Sequence, residues 1–501
     1  MISISPIEAI SSNSESFVLT FIVNTLVAIL VIYCGFIVSV HLFNDLNTNI
    51  LKYFISFPHI SFAIGVLFFF SSSGILQRVL SIFNDNEIPI NNYLTNLEYS
   101  VLYIFSLTIR ELPFTILLGI AALNKIKFQK LIINSKNLKI NNLITYNLIV
   151  FPIWVKKMYL PIIIIISFTY SNLEYSFILG TQFPELLNQL LIEAWYKDYY
   201  FNNSEIYRVT YNIIIAFILT IFCIYSLLKT KEYLIWKFKN SIPNLKSTLI
   251  GKILYRTIIL IFIINFSILF IFSISNNWYF PNLIPDNFTF QNYIEIFKMS
   301  FGKLLFSICL SLTLSLIVLF FSLYYFLNIK SYHDKILGKI LIILIIILLI
   351  IPQNIFLISF NSVINFFEIK NIFIPYSISL YLFIMPYVFY ILKESFQTKL
   401  FDNLIIAQKN LKISHFKFFL KIIYPAFKKV IWFSFFIGFT VCYYQFIQSI
   451  IIGNGRYGLF NNEVLVLFSG GSMNIASAGA IINLIPCLVL FIFFRGNDVK
   501  L

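Results

Sequence analysis

The stretch IINSKNLKI at positions 132–140 returns as IIAQKNLKI at positions 405–413, with seven of nine residues identical. Each copy lies in a lysine-rich segment in front of a long apolar run. In each copy a proline follows sixteen residues after the first lysine of KNLKI, at Pro152 and at Pro425. The shift that takes Lys136 to Lys409, which we call the repeat offset, raises the hypothesis that the chain is a tandem duplication.

The repeat offset also relates other scarce residue types. It places Pro113 on Pro386 and Gly180 on Gly453, in a chain with only 15 prolines and 16 glycines. Like positions in same-side loops predict two parallel repeats, related by an axis along the membrane normal, with a translocation path at their interface.

Composition places these repeats in a membrane. The 501 residues are 59% hydrophobic and 11% charged, with a mean hydropathy of +0.87, whereas soluble domains carry about 25% charged residues. Apolar runs of about 20 residues can cross the bilayer as helices, which satisfy their own backbone groups. We predict an all-α polytopic protein of about eleven spans, at 17–43, 53–72, 99–122, 158–180, 209–229, 256–275, 303–328, 339–359, 373–393, 430–451 and 474–494.

Charge placement predicts the orientation of the chain. Lysines concentrate in 124–157, 229–256 and 393–429, whereas the intervening loops lean acidic. The positive-inside rule puts the lysine-rich loops in the cytoplasm, the N-terminus outside and 495–501 inside. The net charge of +15 is thus a topology signal, and no nucleic-acid partner is expected. The predicted domains are a first half at 1–230 with about five spans, a linker at 231–255, and a second half at 256–501 with about six.

The repeated loop, with its closing proline, resembles the coupling loop of ABC-importer permeases. That family's pattern is E-A-A, then a glycine four residues after the second alanine, then a proline thirteen residues further on. The matching positions here are Ile133, Asn134, Ser135, Lys139 and Pro152, and Ile406, Ala407, Gln408, Lys412 and Pro425. Only Ala407 and the two prolines agree with the pattern, which puts a tight glycine turn in doubt.

Three further stretches, 57–81, 109–123 and 453–471, are similar to fused permeases of thiamine-type importers, relatives of thiamine and iron(III) systems. Pro352-Gln353 also takes the place in the second half that Pro58-His59 has in the first. The resemblance implies a bacterial inner-membrane permease with a pair of separate ATPase subunits and a periplasmic or surface solute-binding protein. It further implies that thiamine or a related small solute is carried, with iron(III) or another solute as the alternative.

Coupling to an ATPase is what the resemblance implies for the repeated loops. The chain has no G-x-x-x-x-G-K-[ST] sequence, so we expect no enzyme activity and no cofactor of its own, with ATP bound by the partner. Short docking helices are expected at 135–143 and 408–416. The candidate coupling residues are Ser135, Lys136, Leu138, Lys139, Ile140 and Pro152, and Gln408, Lys409, Leu411, Lys412, Ile413 and Pro425.

Two charges, Arg110 and Glu111, fall near the middle of the third predicted span. A charge there costs at least a few kcal/mol unless it is paired or hydrated. Neighbouring residues on a helix do not face each other, so each needs its own partner. They either line the path or only pin helices together. The candidate pathway or interface residues are His59, Arg110, Glu111, Pro113, Pro386 and Gln353, and those for an outer gate or binding-protein contact are Gly180, Gly453, Arg456 and Glu463.

Three rival interpretations stay open at the level of the sequence. A secondary transporter fits the span count but needs coupling carboxylates, of which Glu111 is the one convincing candidate. A flippase or polymerase for lipid-linked sugars has a similar number of spans. A membrane enzyme would need clustered acids or histidines, and the chain has four histidines. The five cysteines lack metal or disulfide spacing, so no metal site is expected.

Overall fold

A computed structural model of the chain describes residues 13–43, 49–84, 100–138, 140, 144–198, 204–237, 247–329, 335–396, 399–410 and 414–494. Helices make up most of these segments, and within them the β-type pairing is a single isolated bridge between Ser275 and Phe288. Ten of the described helices are long and apolar enough to cross a membrane, or up to eleven with one bent pair. The predicted all-α class and its number of spans are confirmed.

The chain divides into two compact units, Met1–Thr289 and Phe290–Leu501. The helices described in the first unit are α1 (Ser14–Leu42), α2 (Asn49–Ile55), α3 (His59–Phe70), α4 (Ile75–Asn84), α5 (Val101–Lys125), α6 (Phe128–Asn137), α7 (Phe151–Ser171), α8 (Leu173–Leu179), α9 (Leu187–Asp198), α10 (Ser204–Lys237) and α11 (Ser247–Ile274), with a π-helical turn at Thr145–Val150 before α7.

The core of the first unit is built around α1, which packs most extensively along α5. The two helices approach closely at Gly35, where an added Cβ would lie 2.6 Å from Cγ2 of Thr115. Helix α11 packs against α1 and α3. Its Phe262 ring stacks 4.2 Å from Phe54, and its Asn265 Nδ2 donates to the Phe62 carbonyl at 3.0 Å.

These contacts explain why the compact units divide at Thr289 and not at the predicted linker. The range 231–255 contains the end of α10 and the start of α11. Helix α11, which the sequence assigns to the second half, buries one face in the first unit. The predicted border between the two sequence repeats, at 231–255, concerns the duplication and not the compact units, so it stays a prediction.

The helices described in the second unit are α12 (Gln291–Tyr324), α13 (Lys335–Ile350), α14 (Gln353–Phe366), α15 (Phe373–Phe396), α16 (Lys399–Asn410), α17 (His415–Phe418), α18 (Tyr424–Tyr443), α19 (Ile447–Ile451), α20 (Phe460–Ser469) and α21 (Met473–Phe494), with π-helical turns at Tyr325–Ile329 and Phe419–Ile423. Helices α12, α15 and α18 pack against one another. Two buried asparagines link α21, α20 and the residue that follows α18: Asn483 Nδ2 donates to Asn461 Oδ1 at 2.9 Å, and Asn461 Nδ2 donates to the Tyr444 carbonyl at 3.0 Å.

Two predicted spans are broken at prolines. The span expected at 53–72 stops after α2 and resumes at α3, and the one expected at 339–359 bends by 113° between α13 and α14. Pro58 and Pro352 each precede the new helix with extended backbone, at ψ 144 and ψ 133. A proline disfavours α-helical geometry in the residue before it and is well suited to begin a helix, so the expectation of continuous helices is wrong.

Two other predicted spans have wrong bounds. The span expected at 158–180 runs over Thr145–Ser171, and the one expected at 430–451 runs over Phe416–Tyr443. Both begin earlier because helical backbone continues through a π-turn ahead of the proline. Both end earlier because the chain breaks before a short helix, α8 or α19.

Element positions repeat at the same offset as the sequence words. The repeat offset takes the π-turn Thr145–Val150 to 418–423, where a π-turn spans Phe419–Ile423. It also takes α7 onto α18, α8 onto α19 and the start of α9 onto the start of α20. A surface helix, a π-turn, a proline-bearing helix and two further helices thus occur in the same order and register in each unit.

Candidate functional site

Two short helices at equivalent positions, α6 and α16, each pack against their own unit through a buried phenylalanine. Phe128 at the start of α6 is 4% exposed and lies edge-on to Phe43, with ring centroids 5.0 Å apart. Phe401 near the start of α16 is fully buried and stacks on Phe396 at 4.7 Å. The same aromatic anchor therefore fixes both helices.

The opposite side of each helix presents an aliphatic side chain. Ile133 and Ile406, equivalent under the repeat offset, are each 57% exposed. Ser135 and Gln408, two residues further on, are both buried. Each helix thus combines an anchored face with an exposed isoleucine on the other side.

The predicted coupling residues fall at the ends of these helices and beyond. Helix α6 ends at Asn137, so the helix expected at 135–143 starts earlier and ends earlier. Leu138, directly after it, is 71% exposed, Lys136 is exposed and Ile140 is half-buried. Four of the predicted residues, Lys139, Leu411, Lys412 and Ile413, lie outside the described residues, as does the side chain of Lys409.

Pro152 and Pro425 lie inside continuous helical segments, just after the π-turns. The amide of Phe151 donates to the carbonyl of Tyr146, five residues back, and Tyr424 does the same to Phe419. A proline lacks an N–H and its ring crowds the carbonyl four residues earlier. The wider π-turn relieves that crowding, so these prolines shape the entry into a span and do not mark its first residue.

A buried polar cluster surrounds the break at Pro58 in the first unit. Arg110 on α5 is 5% exposed, and its Nη2 donates to the carbonyls of Ile55 at 3.2 Å and Phe57 at 2.7 Å. The end of α2 leaves carbonyls without intrahelical donors. Arg110 therefore caps the break between α2 and α3.

Glu111 makes no hydrogen bond or close ion pair with Arg110 in the described residues. Its side chain is 6% exposed, and within the described part of the chain its Oε1 has no hydrogen-bond donor. Adjacent helical residues point in different directions, and the guanidinium is already bonded to the backbone at the break. A buried carboxylate oxygen without a hydrogen bond is costly, so Oε1 of Glu111 is the least explained atom of the cluster by packing alone.

His59 and Tyr175 complete the cluster. The His59 ring lies 4.9 Å from Phe168 and 6.1 Å from Tyr175, between centroids. The Tyr175 hydroxyl faces Ser106, and burial raises its pKa, so that it stays protonated. Sequence reasoning missed Tyr175 and Ser106, because they come from segments far apart in the chain. The repeat offset offered a partial signal, since it pairs Ser106 with Ser379, and both are fully buried.

The second unit has neutral side chains at its break. Gln353 follows Pro352 as His59 follows Pro58, and its Nε2 donates to Oε1 of Gln445 at 2.6 Å. Gln448, equivalent to Tyr175, is fully buried. Neither its amide nitrogen nor its amide oxygen has a hydrogen-bond partner among the described residues.

The remaining predicted residues fall into two groups. Pro113 and Pro386 are buried inside α5 and α15, where they weaken the helical hydrogen-bond ladder and do not join the cluster. Gly180 and Gly453 donate their amides to the carbonyls of Ser176 and Gln448, each at 3.0 Å.

At the predicted outer loop of the second unit, Arg456 is exposed. Glu463 is bonded to Lys303 and accepts from Ser300 at 3.3 Å, so its carboxylate already has partners within the unit. No three His, Cys, Asp or Glu side chains in the described ranges lie close enough together to hold a metal ion.

No protein-family model matches the chain. Over 110 residues the chain is 30% identical to the "Inner membrane ABC transporter permease protein YnjC" of Escherichia coli (strain K12). The aligned region covers 22% of this chain and 21% of that protein. The match thus spans about a fifth of the relative's length. The chain is a multi-pass helical membrane protein with a partial similarity to an ABC transporter permease.

Proposed function

We propose that this chain is the transmembrane permease subunit of a binding-protein-dependent ABC importer in a bacterial inner membrane, built from two tandem copies of one permease unit. The partial similarity to an ABC permease and the ten or eleven apolar helices support the class. The matching element positions at the repeat offset support the duplication.

The observation that carries the proposal is the pair of surface helices, α6 and α16. Both are anchored by a buried phenylalanine, both expose an isoleucine at the equivalent place, and both are followed by a π-turn and a proline. Two equivalent helices suit a motor made of two like ATPase subunits, because each subunit would then meet the same surface.

In this mechanism ATP is bound and hydrolysed by the partner subunits. Their closure would move the two surface helices, and the π-turns that follow would pass this motion into α7 and α18. Access to the path would then alternate between the two sides of the membrane. The lysine-rich loops would lie in the cytoplasm, with the N-terminus outside, the C-terminus inside, and a solute-binding protein delivering solute from outside.

The identity of the solute is also a proposal. Resemblance to thiamine-type permeases makes thiamine or a related small molecule the first candidate and iron(III) the second. Uptake of radiolabelled thiamine by vesicles containing the chain, its ATPase and its binding protein tests the first directly.

Charge introduction on the two surface helices tests the docking role. Ile133→Asp combined with Ile406→Asp should abolish co-purification of the ATPase, because each aspartate replaces an exposed apolar contact. Asn134→Asp with Ala407→Asp is the matched control, since it adds the same charge at exposed positions about 100° around each helix. Unchanged ATPase association in the isoleucine variant, or equal loss in the control, would contradict the proposal.

A secondary transporter driven by an ion gradient is a second candidate, favoured by one observation. Glu111 is a buried carboxyl whose Oε1 has no hydrogen-bond partner in the described part of the chain, as a coupling-ion site would require. Solute accumulation in vesicles with an ion gradient and no ATP would support this candidate over the importer.

A further inference from the structure

We propose that Lys231 is a positioning residue for the coupling step. Its ammonium group ties the end of α10 to the rings of Tyr33 on α1 and Phe151 on α7, so that motion of the surface helix α6 reaches all three helices. The role in coupling rests on the proposed function. The contact itself, which we call the Lys231 contact, lies within the first unit and requires neither an ATPase nor a solute.

The Lys231 contact joins three helices that are far apart in the chain. Nζ of Lys231 lies 3.8 Å from the ring centroid of Phe151 and 4.2 Å from that of Tyr33. This Nζ atom is buried, and the two rings stack with their centroids 5.2 Å apart. The faces of aromatic rings attract cations, more strongly where water is excluded. The ammonium group therefore holds α10 against α1 and α7 at one point.

Phe151 lies where the π-turn Thr145–Val150 enters α7. Its amide donates to the carbonyl of Tyr146, five residues back, and Pro152 follows it. Helix α10 packs against this π-turn as well as against α7. A change in the winding of the π-turn therefore shifts the ring that Lys231 contacts.

The aromatic side of the contact is firmly packed. Phe151 is 1% exposed and Trp154 is fully buried, and Phe36 on α1 lies edge-on to both rings, with centroids 4.9 Å and 5.3 Å away. Nε1 of Trp154 donates to the carbonyl of Gly119 on α5 at 3.0 Å. Because these rings have no room to rotate, a shift at the start of α7 is passed to the neighbouring helices.

The second unit provides an internal reference for this arrangement. Tyr424 takes the place of Phe151 under the repeat offset, and its amide closes a π-turn in the same way. Its hydroxyl accepts from Nε1 of Trp432 at 3.2 Å, on the same helix α18. The start of α18 should therefore respond to motion of α16 whatever residue stands at position 231.

Hydrogen–deuterium exchange of the full chain with its ATPase, in nanodiscs, tests this transmission without knowledge of the solute. In the unaltered chain, ATP with vanadate should change the exchange of peptides from the start of α7 and from the end of α10. Lys231→Met keeps an apolar side chain and removes the charge. In this variant the change at α10 should fall at least threefold, while the changes at α7 and α18 remain. Lys231→Arg should keep the response at α10, because a guanidinium also binds over aromatic rings.

Lys229→Met is the matched control. Nζ of Lys229 lies 4.9 Å from the ring centroid of Tyr225, which is on the same helix, so its loss should leave the response at α10 unchanged. An unchanged response in Lys231→Met, or an equal loss in Lys231→Arg or in Lys229→Met, would overturn the proposal.

Melting of the purified chain without ATPase separates this proposal from the proposed function. Lys231→Met should lower the melting temperature, and it should do so less when Phe151→Leu has already removed the ring. If the ATPase does not bind the unaltered chain, the proposed function and the coupling role fail together, although this melting difference persists. If the ATPase binds but Lys231→Met has the same effect with and without Phe151→Leu, the Lys231 contact alone is refuted.

Discussion

Replacing Arg110 by methionine should destabilise the first unit markedly. The change removes two hydrogen bonds from a charged donor, at 3.2 Å to Ile55 and 2.7 Å to Phe57, and leaves both carbonyls without that donor. Each unsatisfied carbonyl costs about 1–3 kcal/mol. Taking a guanidinium out of a buried site returns part of its desolvation cost, so we expect a net loss of about 3 kcal/mol.

The neighbouring residue supplies the contrasting control. Glu111→Met removes a buried carboxylate whose Oε1 has no donor among the described residues. Removing an unsatisfied buried charge is neutral or stabilising when the substitute fills the same volume. We therefore expect this variant to stay within about 1 kcal/mol of the unaltered chain.

Reversible unfolding in mixed detergent micelles measures both free energies, and a thiol-reactive dye that reports exposure of buried cysteines gives an independent melting curve. The cap at the break requires Arg110→Met to be clearly less stable than Glu111→Met. Equal stabilities, or a larger loss for Glu111→Met, would show that the two side chains act as one ion pair and that the backbone cap is unimportant.

Three further outcomes follow from local geometry. Gly65→Ala should cost about 1–3 kcal/mol, because its Cβ would lie 2.5 Å from the amide oxygen of an asparagine on α11, whereas Gly302→Ala meets nothing within 4 Å and should be neutral in the same melting assay. Asn461→Leu should lower the free energy of unfolding by about 2–3 kcal/mol, because it breaks the hydrogen bonds to Asn483 and to the Tyr444 carbonyl. If the loss is no larger than when an exposed asparagine is replaced by leucine, these hydrogen bonds do not stabilise the fold. Burial and, secondly, the charge of Glu193 raise the pKa of Glu185 in the fold. Ionisation of Glu185 therefore lowers the stability of the fold as the pH rises above the ordinary pKa of 4.5. Glu185→Gln should raise the melting temperature at pH 7 but not below pH 4.5, and an equal shift at both pH values would refute this.

The membrane class and the number of spans follow from the sequence because both depend on local properties. A run of about 20 apolar residues is long enough to cross the bilayer, and helical backbone satisfies its own polar groups there. The repeat offset is equally visible in the sequence, since it rests on scarce prolines and glycines. The structure places helices, π-turns and proline-bearing segments at that same offset.

The breaks and the ends of spans could not be placed in this way. The sequence allows Pro58 to be a kink inside one helix and Pro152 to be the start of a span. The first proline separates two helices, whereas the second lies within one, because a π-turn accommodates it. The same residue type gives opposite outcomes, and the difference lies in the backbone that precedes it.

The partners of Arg110 and the neighbours of Glu111 were also beyond the sequence. The carbonyls that Arg110 caps lie 55 and 53 positions away in the chain, and backbone groups leave no trace in residue identity. Tyr175 lies at a similar separation in the other direction. The sequence could state that each charge needed a partner but could not name it.

The duplication that we propose predicts different roles for residues that are identical between the two repeats and for residues that differ. Phe128 with Phe401 and Pro152 with Pro425 agree across the repeat offset, and they lie in the surface helices and directly after the π-turns that follow them. Residues that differ, such as Tyr175 against Gln448, surround the breaks. Two identical ATPase subunits require similar docking helices in the two repeats. A solute without two-fold symmetry is better contacted by residues that differ between them. Exchanging Tyr175 and Gln448 should therefore change the rate of solute uptake in vesicles while leaving ATPase association intact, and a loss of association would show that the two tasks share the same residues.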